Sequence, residues 1–127
     1  MEERRRLLNV AFRVGLLLGL LGVLNARMYS KCELAYELHR RGVRDRDLPH
    51  WVCMAKAESG MNSLAIRRRN RDGGIGYGIF QINDKWGCGL GGFSGCNITC
   101  SSLVSDDVGP SIECAKKIQV ERGFDVW

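Results

Sequence analysis

An α+β fold, with strands kept apart from helices, is what the pattern of this chain predicts. Two segments in its first half carry helix signals at both ends. A β-rich run follows a strong turn signal in the middle, and a third apolar helical face appears near the end. The length of 127 residues fits one domain.

The opening reads as a leader. Arg4, Arg5, Arg6 and Arg13 form a basic stretch, and an apolar run from Val14 to Leu24 follows, ending in Leu24-Asn25-Ala26. This is the pattern of a secretory signal peptide over residues 1–26, cleaved near Ala26, with the domain over residues 27–127. A membrane-spanning helix needs about 20 apolar residues, and this run is shorter.

The first helix is expected from Lys31 to Arg41. Ser30 and Glu33 make a capping-box pattern, Leu34, Ala35 and Leu38 recur at helical spacing, and Gly42 stands where the helix should stop. The second is expected from Pro49 to Ser59. Leu48, Trp51, Val52 and Ala55 share a face, Pro49 suits the first turn, and Gly60 closes the helix. An irregular basic stretch, Arg67-Arg68-Arg69-Asn70-Arg71, leads to the turn signal Asp72-Gly73-Gly74. Ile75 to Asn83 reads as a strand. Cys88 to Ser101, rich in glycine and cysteine, reads as a stapled loop. A third helix is expected to start near Asp107 or Val108. Asp106 and Asp107 suit its positive end, and Val108, Ile112 and Ala115 share a face.

An exported chain meets an oxidising compartment, so Cys32, Cys53, Cys88, Cys96, Cys100 and Cys114 read as disulfide partners. Six cysteines allow about 15 complete pairings, and spacing does not choose among them. Cys96-Asn97-Ile98-Thr99-Cys100 has a zinc-like spacing, but only His39 and His50 could add imidazole. No metal is expected. The formal net charge is +5, of which the leader carries +2 (four arginines against Glu2 and Glu3), leaving +3. That balance favours encounter with anionic surfaces such as bacterial envelopes. It is too weak to argue for nucleic acid, and no nucleic-acid motif is present.

One resemblance sharpens these readings. Leu48-Pro49-His50-Trp51-Val52-Cys53-Met54-Ala55-Lys56-Ala57-Glu58-Ser59-Gly60, followed by Gly76-Tyr77-Gly78-Ile79-Phe80-Gln81-Ile82-Asn83, closely resembles two motifs of the c-type lysozymes, a glycoside hydrolase family. The ending Phe124-Asp125-Val126-Trp127 is most similar to insect members, and the likeness runs from about Lys31 to Trp127. It implies a helical lobe and a small antiparallel β lobe with a cleft between them. It also implies a secreted, cofactor-free monomer that hydrolyses the β-1,4 bond between N-acetylmuramic acid and N-acetylglucosamine in peptidoglycan, for defence or digestion.

By the same resemblance Glu58 stands at the catalytic acid. Such an acid must keep its proton near neutral pH, and an apolar pocket achieves this by penalising the charged form. Trp127 matches the tryptophan that packs against the acid and is expected to shield Glu58. Just before the Tyr-Gly-Ile motif the family carries an aspartate, and this chain has Gly76. Retaining glycosidases hold a second carboxyl about 5–5.5 Å from the acid, to attack or stabilise the sugar cation. Glycine does neither, so weak or absent hydrolysis is expected. Asp72 and Asp84 are the nearest substitutes in sequence. Asn70, Gln81, Asn83 and Trp86 match polar and aromatic cleft positions, while Gly87 stands where many relatives have a further tryptophan.

The family pairing implies disulfides Cys88–Cys100 and Cys96–Cys114. It pairs Cys32 and Cys53 with cysteines beyond Trp127, so both are expected to be unpaired here, in a C-terminally truncated member. Calcium-binding relatives cluster acidic residues after the cysteine matching Cys100. Asp107 fits one ligand, but Ser105, Pro110 and Ser111 take other ligand positions, and hard-cation sites need several oxygen ligands. Asn97-Ile98-Thr99 is an N-glycosylation sequon. Two other activities fit the residues: a non-catalytic binder of peptidoglycan or chito-oligosaccharide, and a cationic membrane-active antibacterial protein without stable membrane insertion.

Overall fold

The computed structural model describes residues 1–9, 27–68, 73–89 and 95–127. The apolar leader run and the segment Arg69 to Asp72 lie outside the described residues; residues 2–9 are helical and exposed.

Helix α1 spans Lys31–Arg40. Its capping box is closed from both sides. The Glu33 N–H donates to Ser30 Oγ at 3.1 Å, and the Ser30 N–H donates to Glu33 Oε2 at 2.7 Å. Leu34 and Leu38, one helical turn apart, are fully buried. Helix α2 spans Leu48–Ser59 with Pro49 in its first turn, and Gly60 ends it in the left-handed conformation at φ +63. Its inward stripe is Trp51, Val52, Met54 and Ala55. Helix α3 spans Gly109–Arg122, starting one or two residues later than the acidic pair suggested. Asp107 Oδ1 accepts the Gly109 N–H at 2.8 Å, which satisfies one of the donors that a helix start leaves open.

The β lobe corrects the sequence reading. The run Ile75 to Asn83 is two strands, β2 (Ile75–Tyr77) and β3 (Ile82–Asn83), joined by a turn over residues 78–81. The basic stretch also supplies a strand of its own, β1 (Ile66–Arg68). The three pair antiparallel in the order β1-β2-β3. Arg67 faces Gly76, and Gly76 faces Asn83. The turn has a packing reason. Gln81 adopts φ +50, and its buried side-chain Nε2 donates to Gly78 O at 2.9 Å and Ala65 O at 3.1 Å. One amide thus closes the turn and fastens it to the segment before β1.

One apolar cluster joins both lobes. Leu34, Leu38, Trp51, Ala55, Ile112, Ala115 and Ile118 come from the helices, and Ile79, Phe80 and Ile82 from the hairpin. Burying Ile79, Phe80 and Ile82 completely is what fixes the sheet against the helices. Disulfides Cys88–Cys100 (Cα–Cα 5.0 Å) and Cys96–Cys114 (Cα–Cα 5.3 Å) bind the loop after β3 to itself and to α3. Cys32 on α1 and Cys53 on α2 are exposed and unbonded.

Candidate functional site

Glu58 sits half-buried in the last turn of α2. Its place relative to the β lobe is fixed twice. The neighbouring Ser59 hydroxyl, buried, donates to Ile79 O at 2.6 Å, with Ala55 O at 3.0 Å. From the other side Arg67 Nη1 donates to the Glu58 carbonyl oxygen at 3.3 Å. The helix end that carries the carboxylate is therefore pinned to both the hairpin turn and β1.

Position 76, where the resemblance expects a second carboxylate, lies in β2 between Arg67 and Asn83. It is a filled position. A Cβ on Gly76 would fall 2.7 Å from Gln81 Oε1 and 3.1 Å from Gln81 Cβ and O. A Cβ on Gly74 would fall 2.5 Å from Asn83 Oδ1. The two glycines make room for the Gln81 and Asn83 amides, which are 2% and 1% exposed. Asn83 Oδ1 also accepts the Lys85 N–H at 2.8 Å. Of the polar positions named from sequence, Gln81 and Asn83 are thus brought together with Gly76 and bonded to main chain. Asn70 and Asp72 lie outside the described residues. Asp84 is exposed, and its Oδ1 accepts the Ile75 N–H at 3.0 Å, which closes the β2–β3 pair.

Trp86 and Trp127 stand edge to face, with centroids 6.5 Å apart. The Arg122 guanidinium lies 5.9 Å over the Trp86 ring, and Trp127 also meets Phe124 at 6.3 Å. Trp127 Nε1 donates to Phe80 O at 2.9 Å. Phe80 follows Ile79, the residue that receives Ser59, so Trp127 and the residue beside Glu58 are anchored on adjacent carbonyls of one turn. Gly87 leaves no room for a side chain, since a Cβ there would fall 2.3 Å from Ile82 Cγ2. Among the described residues no group of three or more His, Cys, Asp or Glu side chains gathers to hold a metal. No helix among them is long and apolar enough to cross a membrane.

Two features of this site escaped the sequence. Gly74 carries only a turn signal in the sequence, although Asn83 needs it bare. Arg67 was one of a run of arginines, and only the strand register distinguishes it.

The architecture and the sequence point to the same family. The family model for "C-type lysozyme/alpha-lactalbumin family" matches residues 27–127. The chain belongs to this family. It is 42% identical over 106 residues to lysozyme c-1 of Anopheles gambiae, covering 83% of this chain and 75% of that one. It is 40% identical over 105 residues to a lysozyme of Hyalophora cecropia, covering 81% and 76%. A crystal structure of a lysozyme from Litopenaeus vannamei superposes with a TM-score of 0.70 at 39% identity, over 79% of this chain and 82% of that one. These likenesses give the C-type lysozyme family and its α+β fold. The chemistry of this member rests on its own residues at positions 58 and 76.

Proposed function

We propose that this chain is a secreted lysozyme-like protein whose cleft binds β-1,4-linked amino-sugar polymers, peptidoglycan first among them, and that it hydrolyses them weakly or not at all. Gly76 carries the reading. Glu58 can serve as proton donor to a leaving oxygen, and Trp127 is anchored on Phe80 O, next to the Ile79 carbonyl that holds Ser59. The second role in a retaining mechanism needs a carboxylate that attacks the anomeric carbon or stabilises the oxocarbenium ion. At position 76 no side chain supplies one, and Asp84, the described alternative, is held by the Ile75 amide. Loss of that partner costs orders of magnitude in rate, while the half-buried indoles of Trp86 and Trp127 remain to meet a sugar; Gln81 and Asn83, expected from sequence to line the cleft, are 2% and 1% exposed and brace the β lobe instead. Export is supported by the basic-then-apolar opening and by the disulfides, which persist in oxidising compartments.

The test is reducing-end release from peptidoglycan by this chain and by Gly76→Asp, both held to native-like near-UV circular dichroism. Release by the variant alone supports a binder that lacks its nucleophile. Release by the parent at the variant's rate overturns the reading and directs mutation to Asp72 and Asp84. Glu58→Gln is expected to abolish whatever release the Gly76→Asp variant gains, while chito-oligosaccharide affinity stays within about twofold, because a proton donor acts on the transition state more than on ground-state binding.

A further inference from the structure

We propose that Arg67 makes this cleft selective for saccharides that bring their own carboxylate, so that acidic amino-sugar chains bind in preference to neutral ones. The inference rests on the saccharide-binding reading above and adds to it the residue that sets ligand charge.

Strand register carries the first step. Arg67 is paired directly with Gly76, and directly opposed residues of an antiparallel pair project to the same face. Arg67 therefore shares its face with position 76. Arg68 is paired with Ile75 and by alternation projects to the opposite face. The second step is the anchor. Arg67 Nη1 donates to Glu58 O at 3.3 Å, which holds the guanidinium at the end of α2, next to the residue proposed to act on the sugar. That carbonyl is neutral, so it orients the cation without cancelling its charge. Among the described residues the ion pairs run between other side chains, and none includes Arg67. The third step is what faces it. An aspartate at position 76 would stand opposite Arg67 and pair with it; Gly76 leaves the cation without that counter-charge.

A guanidinium presents a planar fork of N–H donors that fits a carboxylate. The lactyl ether of N-acetylmuramic acid carries such a carboxylate, and N-acetylglucosamine polymers carry none. The arrangement suits a carboxylate supplied by the ligand in the region where a retaining enzyme would supply its own.

The test compares three probes by isothermal titration on the full chain: chitotetraose, the alternating N-acetylglucosamine–N-acetylmuramic acid tetrasaccharide, and the methyl ester of that tetrasaccharide. The wild type is expected to bind the acid roughly fivefold more tightly than the ester, the size of a partly screened ion pair, and the ratio should shrink as salt rises. Arg67→Gln should bring the ratio to about one; because acid and ester are compared on the same variant, any change in overall affinity from losing the bond to Glu58 O cancels in the ratio. Arg67→Met, which keeps the aliphatic stem, is read in the same way should the glutamine variant lose its near-UV spectrum. Equal wild-type affinity for acid and ester overturns the role of Arg67, with no variant needed. An unchanged ratio in a folded Arg67 variant does so as well. Failure of the folded wild type to bind even chitotetraose overturns the saccharide cleft itself, an outcome distinct from the other two.

Discussion

At the scale of single residues, the absence of a side chain is as specific as its presence. Gly76 and Gly87 both stand where the resemblance expects larger residues, and each is crowded by different neighbours. A Cβ at 76 meets the Gln81 amide and the Gln81 main chain at 2.7–3.1 Å. The amide can rotate, but only by giving up its bonds to Ala65 O and Gly78 O. A Cβ at 87 meets Ile82 Cγ2 at 2.3 Å, and Ile82 is fully buried in the core with nowhere to turn. Overpacking typically costs about 1–3 kcal/mol. Gly76→Ala is therefore expected toward the lower end of that range and Gly87→Ala toward the upper end, with urea denaturation midpoints giving the order. Gly76→Asp shares the Cβ crowding of Gly76→Ala and adds the volume and charge of its carboxylate. A difference in activity between those two variants then reports the carboxylate and not the strain. A Gly76→Ala variant as stable as wild type would mean that Gln81 does not fill this position in solution.

At the scale of elements, what could be read in advance depended on whether a signal is local. The start of α1 was legible because Ser30 and Glu33 satisfy each other's main-chain donors within one turn, and the structure closes that box. The end of α2 was legible because Gly60 adopts a conformation that favours glycine. The β lobe was not. All three residues of β1 are exposed, so no alternation of burial marks that strand. The break between β2 and β3 depends on Gln81 bonding Ala65, a partner sixteen residues back, which no local propensity encodes. The candidate site divides the same way. Glu58 and position 76 were visible through their motif, whereas the Gly74–Asn83 and Gly76–Gln81 fits and the selection of Arg67 required the register. The capping box also gives a measurable acid response. The Ser30 N–H, then the Ser30 hydroxyl and the Arg27 guanidinium, hold the Glu33 carboxyl below the usual carboxylate range. A lowered folded value contributes stability that is present above the unfolded value and lost as pH falls through the folded one. The stability of wild type should therefore drop on acidification below the ordinary carboxylate range by more than that of Glu33→Gln, when urea midpoints are followed against pH. Ser30→Ala should cost about 1 kcal/mol at neutral pH; no loss would mean the cap is replaced by water.

At the scale of the molecule, the cleft wall depends on bonds remote from the carboxylate. The Gly95 N–H donates to Trp86 O at 3.3 Å, and the Cys96 N–H to Gly87 O at 3.1 Å. The strip that carries Trp86 is thereby laced to the segment that Cys96 fastens to α3. Cys96–Cys114 closes a loop with a sequence separation of 18, and Cys88–Cys100 closes one of 12 that overlaps it. Loops of this length are worth about 3 kcal/mol through the entropy they remove from the unfolded chain. Cys32 and Cys53 close none and are exposed. The four cysteine positions that stabilise and the two that do not should separate cleanly. Cys96→Ser with Cys114→Ser is expected to cost about 2–5 kcal/mol, and Cys32→Ser with Cys53→Ser less than about 0.5 kcal/mol, both read from chemical denaturation. The first pair should also weaken chito-oligosaccharide binding, because freeing Cys96 from α3 loosens the main chain that sets the angle of Trp86 against Trp127. The second pair should leave binding unchanged. Should the Cys32 and Cys53 replacements destabilise as much as the disulfide pair, those thiols are bonded in the native protein, and the α1–α2 face is held by a link that the two exposed side chains do not reveal.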